Sequence, residues 1–214
     1  MLQERTITQN TTFYTTALIF QKVLALVYFT FLARFLGVED FGKYAFAFSF
    51  TTIFSVLVDV GLSQVLTREI AKDKEKTSQF LSNAVSIKII LSLIIYAIII
   101  LVVNLMGYSA ISRQLVYLTG LIMLLDVFST TWWSVLRGHQ NLKYESLGIS
   151  LFQLLVVILG IILLYLKSNV TYQVLVMLLG SSFNFLFSFW QMRWRTRIKF
   201  KLAFDKLIIK KLLR

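Results

Sequence analysis

The chain contains no cysteine, no proline and a single histidine, with 10 acidic residues among 214. Without cysteine there is neither a disulfide framework nor a thiolate metal site. His139 alone supplies no catalytic pair, and it falls in a short polar loop, RGHQNLKYE. HExxH, GxSxG, P-loop and GxGxxG patterns are all missing. The nine glycines are scattered, with no GxxxG. Catalysis of the soluble type is therefore not expected, nor is a cofactor or a metal. Charge is scarce too, at 15% of residues, against roughly 25% in a soluble domain. A soluble fold could not hide 57% hydrophobic residues behind so few charges, and a disordered basic tail is excluded by the same count.

Long apolar runs are what the chain does have. A helix needs about 20 mostly apolar residues to cross the hydrocarbon core. Six such runs are read at 13–36, 44–64, 84–106, 114–136, 147–166 and 172–192. β-barrel strands would alternate, and Ile98-Ile99-Ile100-Leu101 does not. The fold class is thus all-α and integral to the membrane. Residues 1–12 are polar with one arginine, and the run after them is too long for a signal h-region, so it is expected to be a retained first helix.

Lys and Arg set the orientation. With the N-terminus in the cytoplasm, the inner segments hold sixteen: Arg5; Arg68, Lys72, Lys74 and Lys76; Arg137 and Lys143; and nine beyond the sixth span. The outer segments hold four, Arg34, Lys43, Arg113 and Lys167. Both ends are expected inside. A net charge of +12 would ordinarily suggest nucleic acid, but here the basic residues lie where topology and anionic headgroups want them, so no nucleic-acid partner is expected. The tail, residues 193–214, reads as a basic amphipathic helix on the inner leaflet. Trp132, Trp133, Trp190 and Trp194 read as an interfacial aromatic belt.

Each span also carries a polar stripe at helical spacing. These are Tyr14, Gln21 and Tyr28 beside Lys22; Ser49, Thr52, Asp59 and Ser63; Lys88, Ser92 and Tyr96; Asp126, Thr130, Trp133 and Arg137; Ser146, Ser150, Gln153 and Gly160; and Gln173, Gly180, Asn184, Ser188 and Gln191. Individual hydroxyls and amides are read as hydrogen bonds between helices. Asp126, near the middle of its span, and Lys22 are read as functional because an unpaired charge in hydrocarbon is costly. Six striped helices together suggest a bundle around a hydrated path.

Residues 31–73 resemble the opening signature of the polysaccharide (oligosaccharide) flippase family of the multidrug/oligosaccharidyl-lipid/polysaccharide exporter superfamily. The matching elements are Asn10, Ala33-Arg34-Phe35-Leu36-Gly37, Asp40-Phe41-Gly42, Asp59-Val60-Gly61-Leu62 and Thr67-Arg68-Glu69. Leu81-Ser82-Asn83 with Lys88, and Arg137-Gly138 with Tyr144, also fit. The resemblance implies a MATE-like transporter of two six-helix lobes around a central cavity. This chain would supply one lobe (1–192) and a connector (193–214) to the second. It also implies a multi-pass protein of the cytoplasmic (inner) membrane that moves lipid-linked oligosaccharide for O-antigen, capsule or exopolysaccharide assembly. Its partners would be that substrate, membrane lipid, and a second six-helix half or polysaccharide-synthesis enzymes. Lys22, Lys88 and Arg34 are then candidates for attracting the substrate pyrophosphate. Asp59 and Asp126 are candidates for pairing with them or coupling a cation, and Asn10, Gln21, Gln153 and Asn184 for lining the cavity. The alternatives are a multidrug or cation antiporter of the same superfamily and a truncated, non-transporting membrane scaffold.

Overall fold

The computed structural model describes residues 7–166, 169–198 and 201–212, with side chains described from Thr12 onwards. Its helices are α1 (Ile7–Asp59), α2 (Leu62–Lys72), α3 (Thr77–Leu105), α4 (Ala110–Gly138), α5 (Lys143–Leu166), α6 (Val170–Thr196) and α7 (Lys206–Leu212), with a 3-10 turn at Lys74–Lys76.

Hydrogen bonding in α1 runs across 53 residues, yet Gly37 stands at φ 74°, ψ 169°, outside the helical region. Glycine takes that conformation without a Cβ clash. A straight helix would hold Phe29 and Phe41 about 18 Å apart. Their rings instead meet edge to face with centroids at 5.0 Å. α1 is therefore a hairpin of two antiparallel spans, 7–36 and 38–59, and with α3 to α6 it makes six. The second span was expected to reach 64. It stops at Asp59 because Val60 (φ 42°) and Gly61 (φ 75°) turn the backbone.

Beyond that break α2 is amphipathic. Leu62, Leu66 and Ile70, at i, i+4 and i+8, are fully buried, while Arg68 and Lys72 are exposed. α2 can lie this close to α4 because of Gly138: a Cβ there would meet Ile70 Cγ2 at 2.6 Å.

Contacts sort the helix ends into two groups. At one end Thr77 meets His139 (3.2 Å), Arg137 meets Glu145, and Arg195 lies 4.3 Å over the Tyr144 ring. At the other, Phe46 packs on Tyr108, Phe35 on Tyr165, and Asn104 bonds Tyr117. The first end gathers the described members of the sixteen-residue basic set, and the second gathers Arg34, Lys43 and Arg113. Arg5, Lys167, Lys199 and Arg214 lie outside the described residues. Between the ends, large apolar side chains such as Leu26, Ile53, Leu93 and Leu105 are exposed, as a lipid-facing surface requires.

Two aromatic expectations are corrected. Trp132 and Trp133 are each 3% exposed and sit in the core. Their rings pack on Phe185, Phe189 and Phe187 of α6, so only Trp190 and Trp194 remain exposed at that end.

The tail also differs from the amphipathic helix expected of it. α6 continues to Thr196, and α7 is seven residues long. Residues 201–205 are non-helical, and alternate amides among them bind the start of α3. The backbone N–H groups of Lys201, Ala203 and Asp205 donate to Ser82 Oγ (3.2 Å), Ser86 Oγ (3.0 Å) and Asn83 Oδ1 (2.6 Å). A period of two presents every second amide to one side, and α3 offers acceptors within one turn to meet them. Leu212 is buried among Leu66, Phe80 and Met192.

Glu69 anchors this strap. Its buried carboxylate receives Lys211 at 2.6 Å, Lys72 at 2.9 Å and Arg68 at 3.2 Å. Hydrogen bonds from Lys211, then Lys72, hold its carboxyl down to about 2, against an ordinary 4.5. A depressed carboxyl contributes stability that is complete above its ordinary value and fades as pH falls towards the lowered one. Proteolysis at the tail of the full chain in micelles is therefore expected to be slow at pH 6 and to accelerate between about pH 4.5 and 2. Glu69→Gln should be fast at every pH, and identical profiles for the two proteins would refute the anchor.

Candidate functional site

A cavity of about 640 Å³ lies between both arms of α1 and the middles of α4, α5 and α6. Gln21 reaches it from the first arm of α1, and Thr51, Thr52, Ser55 and Asp59 from the second. α4 gives Thr119, Asp126 and Thr130, α5 gives Gln153, and α6 gives Met177. Of the residues expected to line a cavity, Gln21, Gln153, Asp59 and Asp126 do so. Asn184 lies on α6 outside this lining, half-buried, and the side chain of Asn10 lies outside the described residues.

Most hydroxyls here do not bridge helices as expected. Thr51 donates to Ala47 O (3.0 Å), Thr52 to Phe48 O (2.7 Å), Thr130 to Asp126 O (2.9 Å) and Ser134 to Thr130 O (2.7 Å). Such back-bonding satisfies a hydroxyl within its own helix and leaves only its lone pairs for the cavity. Thr119 additionally reaches Ala47 O across helices at 3.1 Å.

One cluster fixes the floor of the cavity on the side of the basic end. Lys88, 0% exposed, donates to Asp59 Oδ1 (2.5 Å), Thr131 Oγ1 (2.7 Å) and Ser63 Oγ (2.8 Å). Ser63 also donates to the same Asp59 oxygen at 2.6 Å. An ammonium has three protons to donate, and here all three are used. Asp59 closes α1 and Ser63 opens α2, so the Val60-Gly61 break brings both onto one lysine. Thr131, the third partner, was not singled out from sequence. Its neighbour Thr130 fell on the stripe, and only a position one residue further round the helix faces α3.

The three cationic candidates therefore have other environments than a substrate-facing cavity. Lys88 is committed to Asp59. Lys22 is exposed on the outer side of α1, in a shallow apolar notch with Leu18, Ile19 and Leu26. Arg34 lies at the far end among Phe31, Phe35 and Tyr165. Among the described residues, no Lys or Arg lines the main cavity. Its local balance is acidic: Lys88 offsets Asp59, and Asp126 is exposed within the cavity.

A second pair closes the α4–α5 connection. Arg137 forks onto Glu145, with Nε to Oε2 at 2.7 Å and Nη2 to Oε1 as the other prong. Glu145 was not picked out from sequence, since a carboxylate eight residues on in a polar loop carries no periodic signal. His139 serves the same corner through Thr77.

Residues 7–214 match the family described as polysaccharide biosynthesis protein. The chain belongs to that family. No curated protein matches the sequence. Among solved structures, the chain is similar to an outward-facing multidrug resistance MATE family transporter of the MOP superfamily. The identity is 20% and the TM-score 0.75, over 97% of this chain and 50% of that one. A MOP superfamily transporter from Pyrococcus furiosus, described as having a binding pocket of reverse polarity, matches at 19% identity and TM-score 0.70 with the same coverage. An inward-facing MATE family transporter matches at 20% and 0.64, over 89% of this chain and 47% of that one. This member of the polysaccharide biosynthesis protein family thus spans about half the length of those transporters and has the fold of one six-helix MATE-like lobe.

Removing one partner of a buried ion pair strands the other. Lys88→Met is expected to destabilise the full chain by about 2–3 kcal/mol, less than the usual buried-pair penalty because Asp59 remains 27% exposed. Adding Asp59→Asn should recover most of that loss. Thermal unfolding in micelles, followed by circular dichroism, measures both. A double variant no more stable than Lys88→Met would contradict the pairing.

Proposed function

We propose that this chain is the N-terminal lobe of a transporter that flips lipid-linked oligosaccharide across the cytoplasmic membrane, with residues 193–214 leading to a second six-helix half. The carrying observation is the cavity, read with the family assignment. It is embedded in a membrane-spanning bundle and sets carboxylates, amides and hydroxyls into a wall that is otherwise apolar. Those groups suit the hydroxyls of a glycan, which donate readily to carboxylates. They do not suit a pyrophosphate. On this reading the lobe holds the sugar portion, with Asp126, Gln21 and Gln153 as hydrogen-bonding groups. The anionic linkage stays at headgroup level or against the other half. Lys22 and Arg34 remain the cations exposed for it, one on each half of the first span.

The acidic excess supports a second reading, a cation-coupled multidrug antiporter of the same superfamily, in which Asp126 meets a cationic substrate or ion. Flux assays separate the two. Vesicles carrying the chain together with its second half are loaded with labelled lipid-linked oligosaccharide or with a fluorescent organic cation. Glycan-lipid flipping is expected, and Asp126→Asn should slow it about tenfold, the loss of roughly one hydrogen bond to a charged group. Lys88→Met should act mainly through stability. Cation flux without glycan-lipid flux would replace the first reading by the second, and unchanged flipping in Asp126→Asn would remove Asp126 from the site.

A further inference from the structure

One helix gathers polar atoms that no other protein group reaches. On α6 these are Gln173 Nε2, Asn184 Oδ1, Gln191 Oε1 and Arg195 Nε, and on the same face Ser181 Oγ turns to the Asp126 carboxylate. Gln173 and Ser181 are 0% exposed and Gln191 is 6% exposed. At 100° per residue, all five fall within a sector of about 80°. Trp133 Nε1 on α4 is a further such atom, and its ring lies against Phe187 of α6. If the stripe were simple interhelical adhesion, each group would show a partner side chain. Gln173 does, accepting from Tyr28 Oη at 2.9 Å, but only on its oxygen. From Ser181 to Arg195 the stripe descends about 21 Å, from mid-membrane to the basic end of the lobe.

Its upper part meets the cavity. Ser181 is the α6 residue that faces the Asp126 carboxylate. Its lower part ends where Arg195 stacks over Tyr144, beside the Arg137–Glu145 fork. Ser188, 0% exposed, sits between Asn184 and Gln191 on the same face. Apolar interiors stay dry, whereas buried polar atoms that lack protein partners recruit ordered water. In hydrocarbon no other source of hydrogen bonds exists.

We infer that α6 carries a file of ordered water inside the lobe, running from Asp126 to the mouth at Arg195, and that it delivers protons to Asp126 by a route separate from the cavity. Water molecules and the hydroxyl of Ser181 relay a proton by accepting one and releasing another along the file, while Ser188, whose own proton goes to Phe185 O at 2.9 Å, offers the file only its lone pairs. The amides of Asn184 and Gln191 hold waters in line without relaying. The proton enters from cytoplasmic water and ends on a carboxylate oxygen of Asp126. Of the other charged groups, Asp59 and Lys88 are paired with each other across the cavity. Arg137, Glu145, Arg195, Tyr14 and Tyr144 cluster at the mouth.

The absence of cysteine makes the test direct, because any introduced thiol is unique. Ser188→Cys and Val135→Cys are made separately in the full chain and reconstituted in phosphatidylcholine vesicles. Val135 is also 0% exposed, lies nearer the basic end, and sits in an apolar core off the stripe. Each is exposed to silver ion in chloride-free buffer, and the remaining thiol is counted after denaturation. Ser188→Cys should react about tenfold faster or more, given the barrier an apolar membrane interior sets against an ion. Equal rates would overturn the file.

Proton delivery is read separately by infrared spectroscopy at acid pH. The carboxyl C=O band of Asp126 is assigned by its loss in Asp126→Asn and followed on transfer to D₂O. Gln191→Leu should slow its exchange about tenfold if the file is the faster route, because an apolar side chain on the stripe leaves that segment dry. Asn184→Leu serves if that variant does not fold. Unchanged exchange in the folded variant would overturn the proton route. Neither measurement depends on which substrate is transported.

Discussion

A polar atom in hydrocarbon has no solvent to fall back on, so every donor and acceptor between the two ends of this lobe must be answered inside the protein. The backbone answers by being helical throughout the spans. Serine and threonine hydroxyls answer by bonding the carbonyl one turn back, as Thr52 does to Phe48 and Ser134 to Thr130. Lys88 answers by spending all three protons on Asp59, Ser63 and Thr131. That last solution ties α1, α2, α3 and α4 together, since its four residues come from four helices. Among the described residues, much of what is left over lies in the acidic cavity and on the inner stripe of α6.

Breaks in the helices are as consequential as the helices. With no proline in the chain, reversals fall on positive φ: Gly37 within α1, Val60 and Gly61 between α1 and α2, Gly107 between α3 and α4. A proline kink frees a carbonyl inside a helix, whereas these turns stand at helix ends, where carbonyls are already free. Two of them place functional groups. The first folds Gln21 opposite Thr52 across the cavity, and the second swings Ser63 onto Asp59 and Lys88.

The all-helical membrane lobe and the basic bias of one end were legible in the sequence, because hydropathy and charge are summed over many residues. Pairing was not. Asp59 was a candidate partner for Lys22, Lys88 or Arg34 alike, and nothing said which, because the partners of Lys88 lie 25, 29 and 43 residues away and no period encodes that. Trp132 and Trp133 looked interfacial by depth, but depth does not say whether a ring faces lipid or α6. The tail's alternation of Leu and Lys suited an amphipathic helix. It was overridden by Ser82, Asn83 and Ser86, which offer side-chain acceptors to an unpaired strand of backbone. Glu69, legible only as part of a Thr-Arg-Glu signature, is held by lysines from two segments.

The distribution of charge then constrains how an amphiphilic substrate would lie. Positive side chains occupy the ends of the lobe and its outer flank, while the cavity keeps an exposed aspartate and neutral amides. On the proposed reading, a glycan enters the cavity with its hydroxyls towards Asp126, and the anionic linkage is repelled from that carboxylate towards the basic end. A cation or a proton reaching Asp126 would weaken both effects at once. It would remove the carboxylate as an acceptor for sugar hydroxyls and lower the repulsion that keeps the linkage out. On that reading, sugar binding at Asp126 and protonation of its carboxylate are opposed, and by linkage each weakens the other.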